Sequence, residues 1–380
     1  MNLLVVCESL DIGGGSIGQT KRLLFALKQK NKISLITTKL TEKQKELFSG
    51  IKIYDFVSGP GLGSAKFKCI LSISNKKIKE ILKKDKIDII YNVHQSPIAR
   101  KIRSVALDLG VPFVNHVHTP VGQMYSMLPA YLKFGIINPI LDSYLMSGYC
   151  NSDCIILTGT YNKDMYLDFI NKKKPVEIIS NGVDTSKYKK NKNKSGLLKK
   201  YGLSNKKKVL LVSRYSKDKN LETVFEAYKN ISGFELLIAG NEEIKNKLKQ
   251  YFKNKNIIYL GQKSQEQLIE LYSIADVLVL PSFIELESLV FLEAISCSLP
   301  VIISDSEENR TNQYVKEEDL VFETKNPKDL LKKTKFILKN DVLRRKYSKK
   351  YRGLAESLDF NCSVQKLEKL FKTIITKNKR

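Results

Sequence analysis

Nowhere does this 380-residue sequence hold the roughly 18 uninterrupted apolar residues that a membrane-spanning helix needs. Its most apolar region, residues 124–149, is interrupted by Pro129, Lys133, Pro139 and Asp142, so it suits contact with a bilayer rather than passage through one. No basic, apolar leader with a cleavage site precedes the strand-like residues 3–8, so no export signal is expected. A cytoplasmic protein, at most peripheral on the inner membrane face, is the expectation. The six cysteines follow no regular spacing and fall mostly in apolar runs, which speaks against a disulfide framework and for free, buried thiols in a reducing compartment. Acidic residues are scarce as well: 39 Asp and Glu stand against 65 Lys and Arg, a formal net charge of +26. Such an excess draws anionic partners, although lysine spread evenly among many Asn and Ile also fits compositional drift. Zinc-finger spacing, an RNP-like aromatic motif and a basic recognition helix are all missing. That leaves a membrane surface or a nucleotide, and no nucleic acid, as the anionic partner.

What is present is a rhythm. Short β-branched runs at residues 3–8, 33–38, 51–56, 88–93, 112–117, 154–158 and 176–180 alternate with longer helical patterns. Parallel neighbours cannot be joined by tight turns, so this alternation predicts parallel strands with crossover helices, a doubly wound α/β domain over residues 1–180. A lysine- and asparagine-rich stretch, residues 187–208, reads as a surface loop or short helix near a junction. The rhythm then restarts at 209–213, 235–239, 257–260, 277–280, 300–304 and 320–322, predicting a second α/β domain over 181–358. Residues 329–351 are helical by pattern. So are residues 362–376, and a last segment, 359–380, is expected to form a helix with the first domain as a place to pack.

Chemistry-bearing residues gather at the ends of these strands. After the first strand, Gly13, Gly14, Gly15 and Gly18 precede a helix; glycines admit close backbone approach and amides at a helix start attract phosphate oxygens. No dinucleotide fingerprint is read from these glycines, and a plain flexible turn competes. Arg214 directly follows a strand and Lys219 comes five residues later, a placement that can neutralise a diphosphate. In the stretch from Pro281 to Pro300, a strand ends at Pro281-Ser282, a loop carries Glu285, and a helix expected to begin near Ser288 carries Glu293. Carboxylates there accept hydrogen bonds from sugar hydroxyls while amides of Leu289 and Val290 meet phosphates. The three histidines, His94, His116 and His118, all lie near strand ends; His116 and His118 alternate along one strand, but no third ligand nearby gives them a zinc-site spacing.

With Pro281-Ser282, Glu285, Leu289-Val290, Leu292-Glu293-Ala294 and Leu299-Pro300-Val301, the sequence resembles the family 4 glycosyltransferases, whose GT-B fold pairs two Rossmann-like domains. Gly13-Gly14, Asn181-Gly182-Val183-Asp184, Arg214 with Lys219, Ile238-Ala239-Gly240 and Leu260-Gly261 extend the resemblance along most of the chain. Departures stand at Glu287 and Ser288, where the family often has an aromatic or Gln and then Gly, and at Ser298, where it usually has Gly. The resemblance implies hexose transfer from a nucleoside diphosphate sugar, UDP- or GDP-linked, with retention of configuration. It further implies that His118 and Glu285 hold the hexose, that Arg214, Lys219 and amides near Leu289 take the diphosphate, and that Glu293 binds the ribose. Gly14, Gly15, Ser288 and Val290 complete the donor-binding set. No D-x-D stands at a strand end, which agrees with chemistry needing neither metal nor cofactor. Residues 121–149, rich in Met and Tyr, read as an acceptor channel, a membrane-facing patch or core. Their pattern resembles the branch that glucosylates diacylglycerol, with a glycan acceptor as the alternative. An epimerase of the same architecture and a non-catalytic basic binding protein are the competing functional readings.

Overall fold

A computed structural model describes residues 1–8, 10, 15–61, 64–93, 96–118, 152–159 and 175–378. The chain divides into two compact units, one of residues 1–180 with 363–380 and one of residues 181–362.

The N-terminal unit is built on a seven-stranded parallel sheet. Its strands are β1 (Asn2–Val6), β2 (Lys32–Thr38), β3 (Lys52–Phe56), β6 (Ile89–Asn92), β7 (Phe113–Val117), β8 (Cys154–Leu157) and β9 (Val176–Ile178), in the order β3-β2-β1-β6-β7-β8-β9. Each of the seven runs read from the sequence is one of these strands. A hairpin of β4 (Ser58–Gly61) and β5 (Ser64–Ile70) was not legible, because Gly59, Pro60 and alternating lysines have low strand propensity. Caps start the crossover helices where the sequence offers them: Ser74 accepts from the Lys77 amide, and Ser96, followed by Pro97 at the first helical position, accepts from that of Ala99. Leu4, Val6, Ile36 and Ile90 of the sheet bury against Ile78, Ile81 and Ile102 of the helices Asn75–Lys84 and Pro97–Asp108. Within this unit the last helix, Phe360–Asn378, sets Phe371 edge-on to Tyr91, with ring centres 5.5 Å apart, and Glu368 accepts from the Asn31 side chain at 2.9 Å.

The C-terminal unit has a six-stranded parallel sheet: β10 (Lys207–Val212), β11 (Phe234–Ala239), β12 (Ile257–Gly261), β13 (Val277–Leu280), β14 (Val301–Ser304) and β15 (Val321–Phe322), ordered β12-β11-β10-β13-β14-β15. The second set of six runs thus becomes the second sheet. β13 is buried on both faces, as a central parallel strand requires. The lysine-rich stretch contributes the helix Lys194–Lys200 and then enters β10. There Lys208, wholly buried, pairs with Glu235 at 2.9 Å and donates to the carbonyls of Ser204 and Lys206, so its buried ammonium is satisfied. The predicted helix over 329–351 is two helices, Pro327–Lys339 and Asp341–Ser357. Asn340 ends the first and caps the second by accepting from the Leu343 amide.

In both sheets the strand order reverses beside the first strand, between β1 and β6 and between β10 and β13. The architecture is therefore two doubly wound α/β units. Among the described residues no helix is long and apolar enough to cross a membrane. The described cysteines are free; Cys7, Cys154 and Cys297 are buried, whereas Cys362, near the start of the last helix, is exposed, against the expectation of burial.

Candidate active site

Open α/β sheets bind ligands beyond the carboxyl ends of strands at the point of reversal. In the C-terminal unit that point lies between the loops leaving β10 and β13. Asn220, in the left-handed conformation (φ 48°), donates from its side chain to the Pro281 carbonyl at 3.2 Å, and the Phe283 amide donates to the Asp218 carbonyl at 2.8 Å. The two loops are thereby stitched together, and their charged side chains converge. Lys219 donates to Glu285 Oε1 at 2.7 Å and lies 3.3 Å from Asp218 Oδ2. Ser282 Oγ donates to the same Glu285 oxygen at 2.9 Å. Arg214 stands 3.6 Å from Asp218 Oδ2 with 55% of its side chain exposed, a cation open to solvent.

The electrostatics of this cluster are balanced rather than strained. Burial opposes the charge of Lys219, but Glu285 and Asp218 outweigh it and hold the ammonium above the ordinary lysine value. Burial likewise opposes ionisation of Asp218, yet Lys219, the Ser216 hydroxyl and Arg214 keep its carboxyl below the usual range. Backbone bonds fix Glu285 as well: its amide donates to the Glu308 carbonyl at 3.1 Å and its carbonyl accepts from the Arg310 amide at 2.7 Å.

The helix Leu289–Ser296 follows immediately. Ser288 is its N-cap, as expected; its Oγ accepts from the Phe291 amide at 3.3 Å, and its own amide donates to Thr311 Oγ1 at 2.9 Å. The amides of Leu289 and Val290 are among those a helix leaves without an intrahelical acceptor. Glu293, a turn further on, is held from both sides: Tyr188 donates to Oε1 at 2.9 Å and Tyr272 to Oε2 at 2.8 Å. Burial, with the Glu293 charge beside it, keeps the Tyr272 phenol protonated and hence a donor.

Tyr188 and Tyr272 were not singled out from the sequence, and no spacing signal marks them, since they lie 105 and 21 residues from Glu293. Asp218 was also missed, although its position between Arg214 and Lys219 was a usable clue. Glu287, noted only as a departure, turns out to be a buried clasp: its two oxygens accept from the Asn181 amide at 2.5 Å and the Tyr314 hydroxyl at 2.6 Å.

In the N-terminal unit, Gly13, Gly14, His94 and the 121–149 segment lie outside the described residues. Gly15 opens the helix Gly15–Leu27. His116, on β7, is buried and shares a 2.5 Å hydrogen bond with the Tyr91 hydroxyl; burial lowers its pKa to about 3, so the ring is neutral. The His118 ring follows at 4.0 Å from that of His116. At the end of β1, Glu8 is buried and accepts from the Ile70 amide at 2.6 Å. Burial raises its pKa above the ordinary value, against hydrogen bonds from Ser96 and Ile70. Asn92 donates to Asn115 between β6 and β7 at 2.7 Å.

Residues 14–187 match the family described as Glycosyltransferase Family 4, and residues 194–353 that described as Glycosyl transferases group 1, so the two matches together take in the greater part of the chain. Among curated proteins, the chain is 29% identical over 195 residues to N,N'-diacetylbacillosaminyl-diphospho-undecaprenol alpha-1,3-N-acetylgalactosaminyltransferase of Campylobacter jejuni, covering 50% of each. It is 26% identical to the processive diacylglycerol alpha-glucosyltransferase of Acholeplasma laidlawii, over 58% of this chain and 67% of that one. The alignments thus span about half to two thirds of the length of these relatives. Among solved structures, an Anabaena protein in complex with UDP superposes with a TM-score of 0.77 at 15% identity, covering 98% of this chain and 100% of the other. That likeness speaks to the fold.

Proposed function

This chain belongs to the family 4 glycosyltransferases, with the GT-B fold, and from that membership we propose that it moves a hexose from a nucleoside diphosphate sugar to a lipid or glycan acceptor with retention of configuration. The observation that carries the donor half is the convergence of Arg214 and Lys219 with Glu285 at the reversal point of the C-terminal sheet, beside the start of the helix Leu289–Ser296. When the sugar–phosphate bond breaks, negative charge grows on the departing diphosphate. Cations and amides already aimed at that place stabilise it without reorganising. Lys219 is shared between Glu285 and the diphosphate, so its charge stays compensated before and after the donor arrives. Glu285, oriented by Lys219 and Ser282, accepts hydrogen bonds from the hexose. Glu293, fixed by two phenols, does the same for the ribose. The chain's own cations take the place of a metal ion in this scheme, and His118 keeps the hexose-binding role that family membership implies.

The acceptor half is supported by the relatives, whose names specify an undecaprenol-linked and a diacylglycerol acceptor. The charge of +26 suits peripheral contact with an anionic leaflet.

A panel of UDP- and GDP-hexoses, with nucleotide release as the readout and lipid extract present or absent, tests both halves. The expected result is release with one donor, stimulated by lipid, insensitive to EDTA, and a product of unchanged anomeric configuration. Interconversion of the sugar with the nucleotide still attached would instead identify an epimerase. Full activity in both Glu285→Ala and His118→Ala would remove these residues from the site.

A further inference from the structure

A cavity of about 140 Å³ opens in the C-terminal unit at the opposite end of the sheet from Glu285. Ala275 and Asp276 lead into β13 there, and Ser298 to Pro300 lead into β14, so the cavity lies at the amino ends of these strands. Four cations line it, Lys190, Lys194, Arg344 and Arg345, against two carboxylates, Asp276 and Asp341. Both carboxylates are already engaged: Asp276 with Lys194 at 3.4 Å and with the Lys208 amide at 2.8 Å, Asp341 with Arg344 and with Lys207 at 3.1 Å. Arg344 is buried and also donates to the carbonyls of Ile337 and Leu338. Lys190 and Arg345 form no ion pair with a carboxylate among the described residues, although the Asp276 charge reaches Lys190, so cations remain in excess around the cavity.

Other features place donors around that charge. Residues 341, 344, 345 and 348 recur at helical spacing, so one face of the helix Asp341–Ser357 turns both arginines and Ser348 toward the cavity. Ser298 adopts φ 59°, a left-handed conformation that favours glycine, yet it is a serine and lines the cavity. Although Lys190 is exposed as a residue, partial burial of its ammonium and the neighbouring Lys194 push its pKa below the ordinary lysine value, against the opposing charge of Asp276. Repelled cations in a cleft are relieved by an anion. At about 30 Å³ per water, the cavity has room for several waters, or for one compact anion with its shell.

We propose that this cavity is a second anion site, separate from the donor site, in which Lys190, Lys194 and Arg345 with the hydroxyls of Ser298 and Ser348 bind a phosphate group. Free phosphate and the phosphate of a lipid headgroup present the same chemistry, and the experiment separates them. Inorganic phosphate is titrated into the full chain at constant ionic strength, and Tm is followed for wild type, Lys190→Gln, Arg345→Gln and Arg214→Ala. In parallel, the proteins are sedimented with phosphatidylcholine vesicles with and without phosphatidic acid.

A saturable rise in Tm that persists in Arg214→Ala and weakens on the order of tenfold for each cavity cation removed supports the site with free phosphate as its source. Sedimentation that requires phosphatidic acid and is lost in Lys190→Gln and Arg345→Gln supports it with the lipid as source. Either a response equal in wild type and cavity variants, or no response in both arms, overturns the proposal. A response lost only in Arg214→Ala also overturns it, by assigning the binding to the donor site. Lys190 and Arg345 are both exposed, so their substitution leaves the core intact.

Discussion

Two sheets of the same winding end in opposite chemistry. At the carboxyl ends of the C-terminal sheet, Arg214, Asp218, Lys219 and Glu285 form a chain of compensated charges, and Glu293 is fixed by two phenols. The corresponding edge of the N-terminal sheet carries Glu8, whose burial favours its neutral form, the amides Asn92 and Asn115, and a His116 that burial keeps unprotonated. The winding rule places a ligand at such an edge in each sheet; among the described residues the C-terminal edge brings cations, which suit a diphosphate, and the N-terminal edge brings amides and a neutral imidazole. A fold therefore says where to look, and the side chains say what is bound.

The largest effect that would break this contrast is expected at Lys219. Lys219→Met removes the cation on which Glu285 and Asp218 both depend, and donor turnover should fall roughly 100- to 1,000-fold, as for loss of a preorganised transition-state donor. Steady-state kinetics with saturating donor would decide it. A change confined to KM would demote Lys219 to simple donor binding.

A second test concerns acid. His116 titrates at 6.5 when unfolded but at about 3 when folded, so protonation favours the unfolded state. Its contribution is complete above about 6.5 and declines as pH falls toward 3, by about 1.4 kcal/mol for each pH unit. Glu8 acts in the opposite sense, because its raised pKa adds stability as acid is approached. Comparing urea unfolding of wild type and His116→Phe across this window should show the wild-type slope flattened in the variant. Equal slopes would mean that the neutral edge does not depend on His116.

The smallest effect is expected where a charge is merely held in place. Tyr272→Phe deletes one hydrogen bond to the Glu293 carboxylate, worth roughly 1.5 kcal/mol for a bond to a charged group, or about tenfold in donor affinity. Calorimetric titration with the nucleoside diphosphate would measure it, and Tyr188→Phe, which loses the bond to the other oxygen, should behave alike.

The strands of both sheets were legible because most are short runs of β-branched and other apolar residues, and a strand buried on two faces, such as β13, can be little else. The hairpin at residues 58–70 was not, since its residues favour strand only once paired; the Ile70 amide there finds its acceptor in Glu8, 62 residues away. In the candidate site the same division holds. Ser288 as a cap, and Arg214, Lys219 and Glu285 as strand-end charges, could be read from local order. The tyrosines on Glu293 and the clasp of Glu287 on Asn181 join residues about 20 to 100 positions apart, and no local pattern records such pairs.

By itself, then, the sequence determined the two α/β units, the strand ends that bear charge and the family to which the chain belongs, because hydrophobic period, turn chemistry and short motifs are properties of neighbouring residues. Only the tertiary structure decided which charge answers which. Lys219 meets Glu285, Glu293 meets two phenols, and Lys207 from the lysine-rich stretch meets Asp341 of a distant helix, since ion pairs and burial depend on distances that chain order does not contain.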